Sequence, residues 1–247
     1  MSAIDLAILV VGLAFAGLAK GATGMGLPLV ATPILAGVFG PRMAVVIVTI
    51  PIFVSNSLLL AQGWRRVGVL RGLGPILVAS AVGTIIGVQL LARLDQRTFA
   101  ILIAAMVAIF LLRGDRFIGD DPKARRARVL GPLVGFVGGV LQGTTSIASP
   151  LVGSFFHTLR LSPRDFVLTL AAVFELNAIV QVIGYALLGL FTPDVLALGL
   201  VGLVPTLLAL MLGIELRGRM DAQRFRALIV VLLVLSTANL LYRTFAG

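Results

Sequence analysis

The chain has 247 residues, 59% of them hydrophobic and 12% charged, with a mean hydropathy of +1.11; a soluble domain carries about 25% charged residues, so this is the composition of an integral membrane protein. The net charge of +10 comes from 20 basic against 10 acidic residues, and the bases sit in short connections between apolar runs, as topology signals do, which excludes a nucleic-acid partner. Cysteine is absent, which excludes disulfides, thiolate metal sites and thiol chemistry.

A membrane-crossing helix needs about 20 apolar residues. The first run, 4–20, follows Met1-Ser-Ala-Ile-Asp5, which carries no base, so it reads as a membrane segment and not a signal peptide. A short apolar run follows at 25–39. Spans are predicted over 43–63, 69–92 and 98–113. The connection 114–128 holds Arg116, Lys123, Arg125, Arg126 and Arg128 and divides the chain into membrane halves 1–113 and 129–247. The second half opens with two short runs, 129–142 and 147–160. Spans are predicted over 166–190, 194–217 and 224–243.

The halves resemble each other. Gly21, Thr23, Pro28, Leu29 and Val30 match Gly143, Thr145, Pro150, Leu151 and Val152 at an offset of 122 residues. Pro41-Arg42 matches Pro163-Arg164 at the same offset. Asn56 and Gly63 match Asn177 and Gly184 at 121, and Gly87 and Arg93 match Gly213 and Arg219 at 126. The basic connection 114–128 is expected to be cytoplasmic, with Arg65, Arg66, Arg160, Arg164 and the 217–226 cluster on the same side. Each half then has a hairpin unit and three spans, in opposite orientations. The predicted fold is an all-α polytopic membrane protein: an inverted-topology repeat with a broken-helix or hairpin unit opening each half. Arg42, Arg93 and Arg97 fall outside in this scheme, against the charge rule.

A small-residue interruption repeated in both halves points to a transporter's binding site. Half-helices that restart after such hinges present free N–H groups and a positive dipole end to an anion. The candidate substrate-binding residues are therefore Gly21, Thr23, Gly24, Gly26, Gln142, Gly143, Thr144, Thr145 and Ser146, together with the repeat-related amides Asn56 and Asn177. Close helix packing by Gly and Thr, and interhelical amide hydrogen bonds, are the bland alternatives. Lys20 and Glu175 are ionisable residues in apolar runs and candidates for a charge or coupling role. Lys20 alternatively snorkels to a headgroup. Glu175 alternatively pairs with Arg160 or Arg164. His157, the single histidine, lies near a segment end and fits an interfacial role. No metal, cofactor or catalytic arrangement is expected.

The stretch Gly21-Ala-Thr-Gly-Met-Gly-Leu-Pro-Leu-Val-Ala-Thr-Pro33, with Gly135-Phe-Val-Gly-Gly-Val-Leu-Gln-Gly143, the basic middle connection and the length, resembles the TauE/SafE family of sulfite exporters. At the second hinge, Thr144-Thr-Ser-Ile-Ala-Ser149 replaces part of that family's glycine run. The resemblance implies an inner-membrane carrier of small anions, often sulfur-containing, working by alternating access with a coupling proton or cation. A passive anion channel of the same architecture is the alternative.

Overall fold

The computed structural model describes residues 2–113, 124–217 and 222–245, and within these every regular element is helical. In chain order these are α1 (Ala3–Thr23), α2 (Leu27–Phe39), α3 (Pro41–Gly63), a 3-10 helix (Trp64–Leu70), α4 (Gly74–Arg93), α5 (Gln96–Arg113), α6 (Ala124–Thr145), α7 (Ser149–Thr158), α8 (Pro163–Leu187), α9 (Pro193–Glu215) and α10 (Ala222–Phe245). The positions follow from proline and glycine. Helices α2, α3, α4, α7, α8 and α9 each carry proline in the first or second position, where its missing N–H costs nothing. Ser2, Ser162 and Thr192 cap α1, α8 and α9 with their hydroxyls.

Six helices among the described residues are long and apolar enough to cross a membrane. The predicted span at 98–113 is apolar but short, as α5 has 18 residues. Helix α6 begins at Ala124, inside the predicted connection; the intervening Ala-Arg-Arg-Ala-Arg-Val has good helix formers and no breaker. The rest of the basic connection, 114–123, lies outside the described residues, as do Arg219 and Asp221. Helix α2, with 13 residues, and α7, with 10, rise only about 20 and 15 Å, well short of a hydrocarbon core about 30 Å thick.

The long helices meet at glycines. α1 crosses α9, and α4 crosses α6, at backbone contact distance. A Cβ on Gly213 would lie 3.0 Å from the Gly21 Cα, and one on Gly87 would lie 2.9 Å from the Gly143 Cα. These are the residue pairs that the offsets 122 and 126 interchange. Helices α3 and α8 also pack together. Ser57 touches Glu175 and Gly63 faces Leu168, so the two run antiparallel. Asn56 and Asn177 therefore lie at nearly the same level of that pair. Large apolar side chains such as Val78, Val204, Leu208 and Leu235 stand exposed on α4, α9 and α10, which suits helices bathed in lipid.

Candidate functional site

Both hinges occur where the sequence places them. Gly24 ends α1 with φ +85°, and Ser146, at the matching position, ends α6 with φ +59°. Glycine adopts this left-handed conformation freely; serine is strained in it. Thr23 and Thr145 do the same local work. The Thr23 hydroxyl donates to the Ala19 carbonyl at 2.8 Å and accepts from the Met25 N–H at 3.3 Å. The Thr145 hydroxyl donates to the Leu141 carbonyl at 2.9 Å and accepts from the Ile147 N–H at 3.1 Å. Thr144 donates to Val140 and Gly87 carbonyls. The hydroxyl protons expected for substrate at Thr144 and Thr145 are thus engaged by backbone.

The hinges share a cavity of about 200 Å³, lined by Thr23, Met25 and Gly26 from one side and Ser149 and Pro150 from the other, with Phe110 and Phe225 closing it. The N-termini of α2 and α7 border it. Ser149 is 2% exposed, and its hydroxyl has no hydrogen-bond partner among the described residues. Gly21, Gly24, Gln142, Gly143, Thr144, Thr145 and Ser146 lie off this cavity.

Lys20, Asn56 and Glu175 form a second, buried cluster, and Asn177 is buried nearby along α8 with a partner of its own. Lys20 is 3% exposed, so it does not snorkel. Its ammonium donates to the Ser55 hydroxyl at 2.8 Å and to the Asn56 side-chain oxygen. Glu175 accepts from Ser57 and feels the Lys20 charge; its partner is neither Arg160 nor Arg164. The tripeptide Ser55-Asn56-Ser57 on α3 thus joins the cation on α1 to the carboxyl on α8. Asn177 accepts from Ser80 at 2.8 Å. The amide nitrogens of Asn56 and Asn177 and one Glu175 oxygen are buried without partners among the described residues. Such groups are costly in an apolar interior. Sequence reasoning misses Ser55, Ser57 and Ser80; the signal that could have found the first two is a pair of serines flanking an asparagine in an apolar run.

Gln142 belongs to a third network. Its side chain donates to Gln181, which bonds back to the Gln142 carbonyl, the Ser146 hydroxyl and the Tyr185 hydroxyl. Tyr185 in turn donates to the Gly143 carbonyl at 2.7 Å. The matching carbonyl, on Gly21, is taken instead by Arg217, through Nη2 at 2.7 Å and Nε at 3.2 Å. Burial lowers the Arg217 pKa from its ordinary value. His157 is exposed and packs its ring 4.3 Å from Phe166.

Arg66, Arg164 and Arg217 gather at one end of the bundle around a cavity of about 300 Å³, and Arg66 pairs with Asp165 at 3.2 Å. Arg42 has a structural task elsewhere, donating to the Leu94 carbonyl at 2.7 Å after the last turn of α4. No group of three or more His, Asp or Glu able to hold a metal comes together among the described residues.

No curated relative and no solved structure matches this chain. The sequence profile described as Sulfite exporter TauE/SafE matches residues 8–240, nearly the whole chain. That family consists of membrane transporters, and membership implies transport of a sulfite- or sulfonate-type anion. The buried lysine, the glycine crossings and the paired hinges thus belong to a member of the TauE/SafE sulfite exporter family.

Proposed function

We propose that the protein is a secondary transporter of a small sulfur oxyanion or organosulfonate, working by alternating access around the hinge cavity. The observation that carries this reading is the cavity itself: two helix N-termini, one from each half, open on a buried serine hydroxyl that no described residue satisfies. Helix N-termini favour anions through their free N–H groups and dipole. The Phe110 and Phe225 rings suit an apolar body on the substrate better than water. Lys20, next along α1 from the cavity-lining Ala19, adds positive charge to the anion's surroundings. The spare N–H groups of Asn56 and Asn177 offer neutral donors as the anion passes the α3–α8 crossing.

The matched glycine crossings support an inverted repeat, because each joins one half to the other and the repeat offsets exchange the two contacts. Two interchangeable halves give alternating access a simple form, in which one hinge opens as the other closes. Arg66, Arg164 and Arg217 stand on the cytoplasmic side of an inner membrane in this reading, by the charge rule.

The test uses purified protein in liposomes and radiolabelled sulfite or methanesulfonate. Ser149→Ala removes one buried hydroxyl donor, worth about 1–3 kcal/mol when its partner is left unpaired, so KM should rise about tenfold or more. A KM equal to that of the parent would remove the hinge cavity as the binding site.

A further inference from the structure

The hinge cavity is the inner member of a series. Thr23 and Met25 line both it and a neighbouring cavity of about 470 Å³. Arg217 and Val167 line that second cavity and also the basic one of about 300 Å³. We propose that Arg66, Arg164 and Arg217 form a receiving site for a small oxyanion at the mouth of this route, and that the arriving oxyanion takes the Arg217 guanidinium from the Gly21 carbonyl. The proposal deepens the transport reading and rests on it for the direction of the route.

Charge comes first. Asp165 offsets Arg66, and the cavity keeps the cationic excess of Arg164 and Arg217. Arg164 is exposed and makes no ion pair among the described residues. A guanidinium presents N–H groups in a planar fork that matches an oxyanion.

The second argument is an asymmetry between the hinges. Gly21 and Gly143 each leave a carbonyl near the end of a helix, where the chain offers no regular acceptor role. At Gly143 the neutral Tyr185 hydroxyl satisfies it. At Gly21 a cation does so, with two of its N–H groups on a single oxygen. A neutral donor is sufficient for the carbonyl, so the charge of Arg217 is surplus to that task. An oxyanion is a stronger acceptor than a carbonyl, and charge-assisted hydrogen bonds are about twice as strong as neutral ones. Transfer of the guanidinium would free the last turn of α1, directly before the hinge at Gly24. The receiving site and the hinge are thereby coupled through one side chain.

The chain has no cysteine, so Ile214→Cys places a single thiol on the wall of the basic cavity. The full-length protein is alkylated with iodoacetamide in detergent, with methanesulfonate as probe and chloride at equal ionic strength as control. Methanesulfonate should slow alkylation and chloride should not. In Arg164→Gln and Arg217→Gln the half-protecting concentration should rise about tenfold. Deuterium uptake at the amides of residues 22–26 should also increase with methanesulfonate, and not in Arg217→Gln. Protection unchanged in both variants, protection equalled by chloride, or no effect on those amides would overturn the proposal. Protection only in phosphatidylglycerol nanodiscs, and not with methanesulfonate, would assign the cavity to a lipid headgroup and overturn it too. Should Arg217→Gln fail to fold, the exposed Arg164→Gln and the amide exchange of the parent decide the matter. Sulfite flux without protection would remove the receiving site alone; protection without flux would remove the transport reading and leave the site standing.

Discussion

Gly143 sits where α6 crosses α4 so closely that any Cβ would run into the Thr84 carbonyl. Backbone cannot move aside as a flexible side chain can, so Gly143→Ala should destabilise the protein by about 1–3 kcal/mol. Gly74 gives the contrast: nothing lies within 4 Å of its built Cβ, and Gly74→Ala should leave the melting temperature in detergent unchanged or slightly raised. Equal melting temperatures for the two variants would contradict the close crossing. Glu175 poses a question of chemistry at the same scale. Its carboxyl is held by Ser57 on one side and unsatisfied on the other, and among the described residues it forms no salt bridge, Lys20 being the cation whose charge it feels. On the proposal that Glu175 carries a coupling proton, Glu175→Gln should abolish proton-driven accumulation while leaving counterflow exchange measurable. A parallel fall in thermal stability and in every transport mode would instead make it structural.

At the scale of elements, Thr23 and Thr145 carry equivalent caps, so Thr23→Val and Thr145→Val should each cost about 1 kcal/mol of stability. Their KM should stay near that of the parent, because both hydroxyls are bound to backbone. A large rise in KM for Thr145→Val would return that residue to the substrate. The elements themselves are legible in the sequence because proline and glycine punctuate this chain: Pro41, Pro163 and Pro193 each open a helix. The hinges are legible because their glycines and threonines recur at a fixed offset. Two features are not. The start of α6 is hidden because its first turn is basic and reads as a connection. The roles of Arg217, Tyr185 and Ser80 are hidden because each is defined by a partner far along the chain: Arg217 bonds a carbonyl 196 residues away. Hydrophobic periodicity ranks residues by exposure, and it does not say which buried donor meets which acceptor.

At the scale of the molecule, the bundle combines rigid and movable parts. The α1–α9 and α4–α6 crossings lock long helices together at glycine contacts. Short helices α2 and α7, by contrast, follow hinges with left-handed residues, Gly24 and Gly26 before α2 and Ser146 before α7. In the proposed transport cycle the locked pairs move as bodies, and the hinges with α2 and α7 open the central cavity to one side at a time. A site that must reorient loaded or empty has a signature that a pore lacks. The direct test is counterflow in liposomes containing the purified protein, preloaded with unlabelled methanesulfonate and diluted into trace labelled methanesulfonate. Alternating access predicts a transient overshoot of labelled substrate inside, with an initial rate that saturates as external substrate rises. Equilibration without overshoot, at a rate that grows linearly with concentration, would contradict alternating access and identify a passive anion channel.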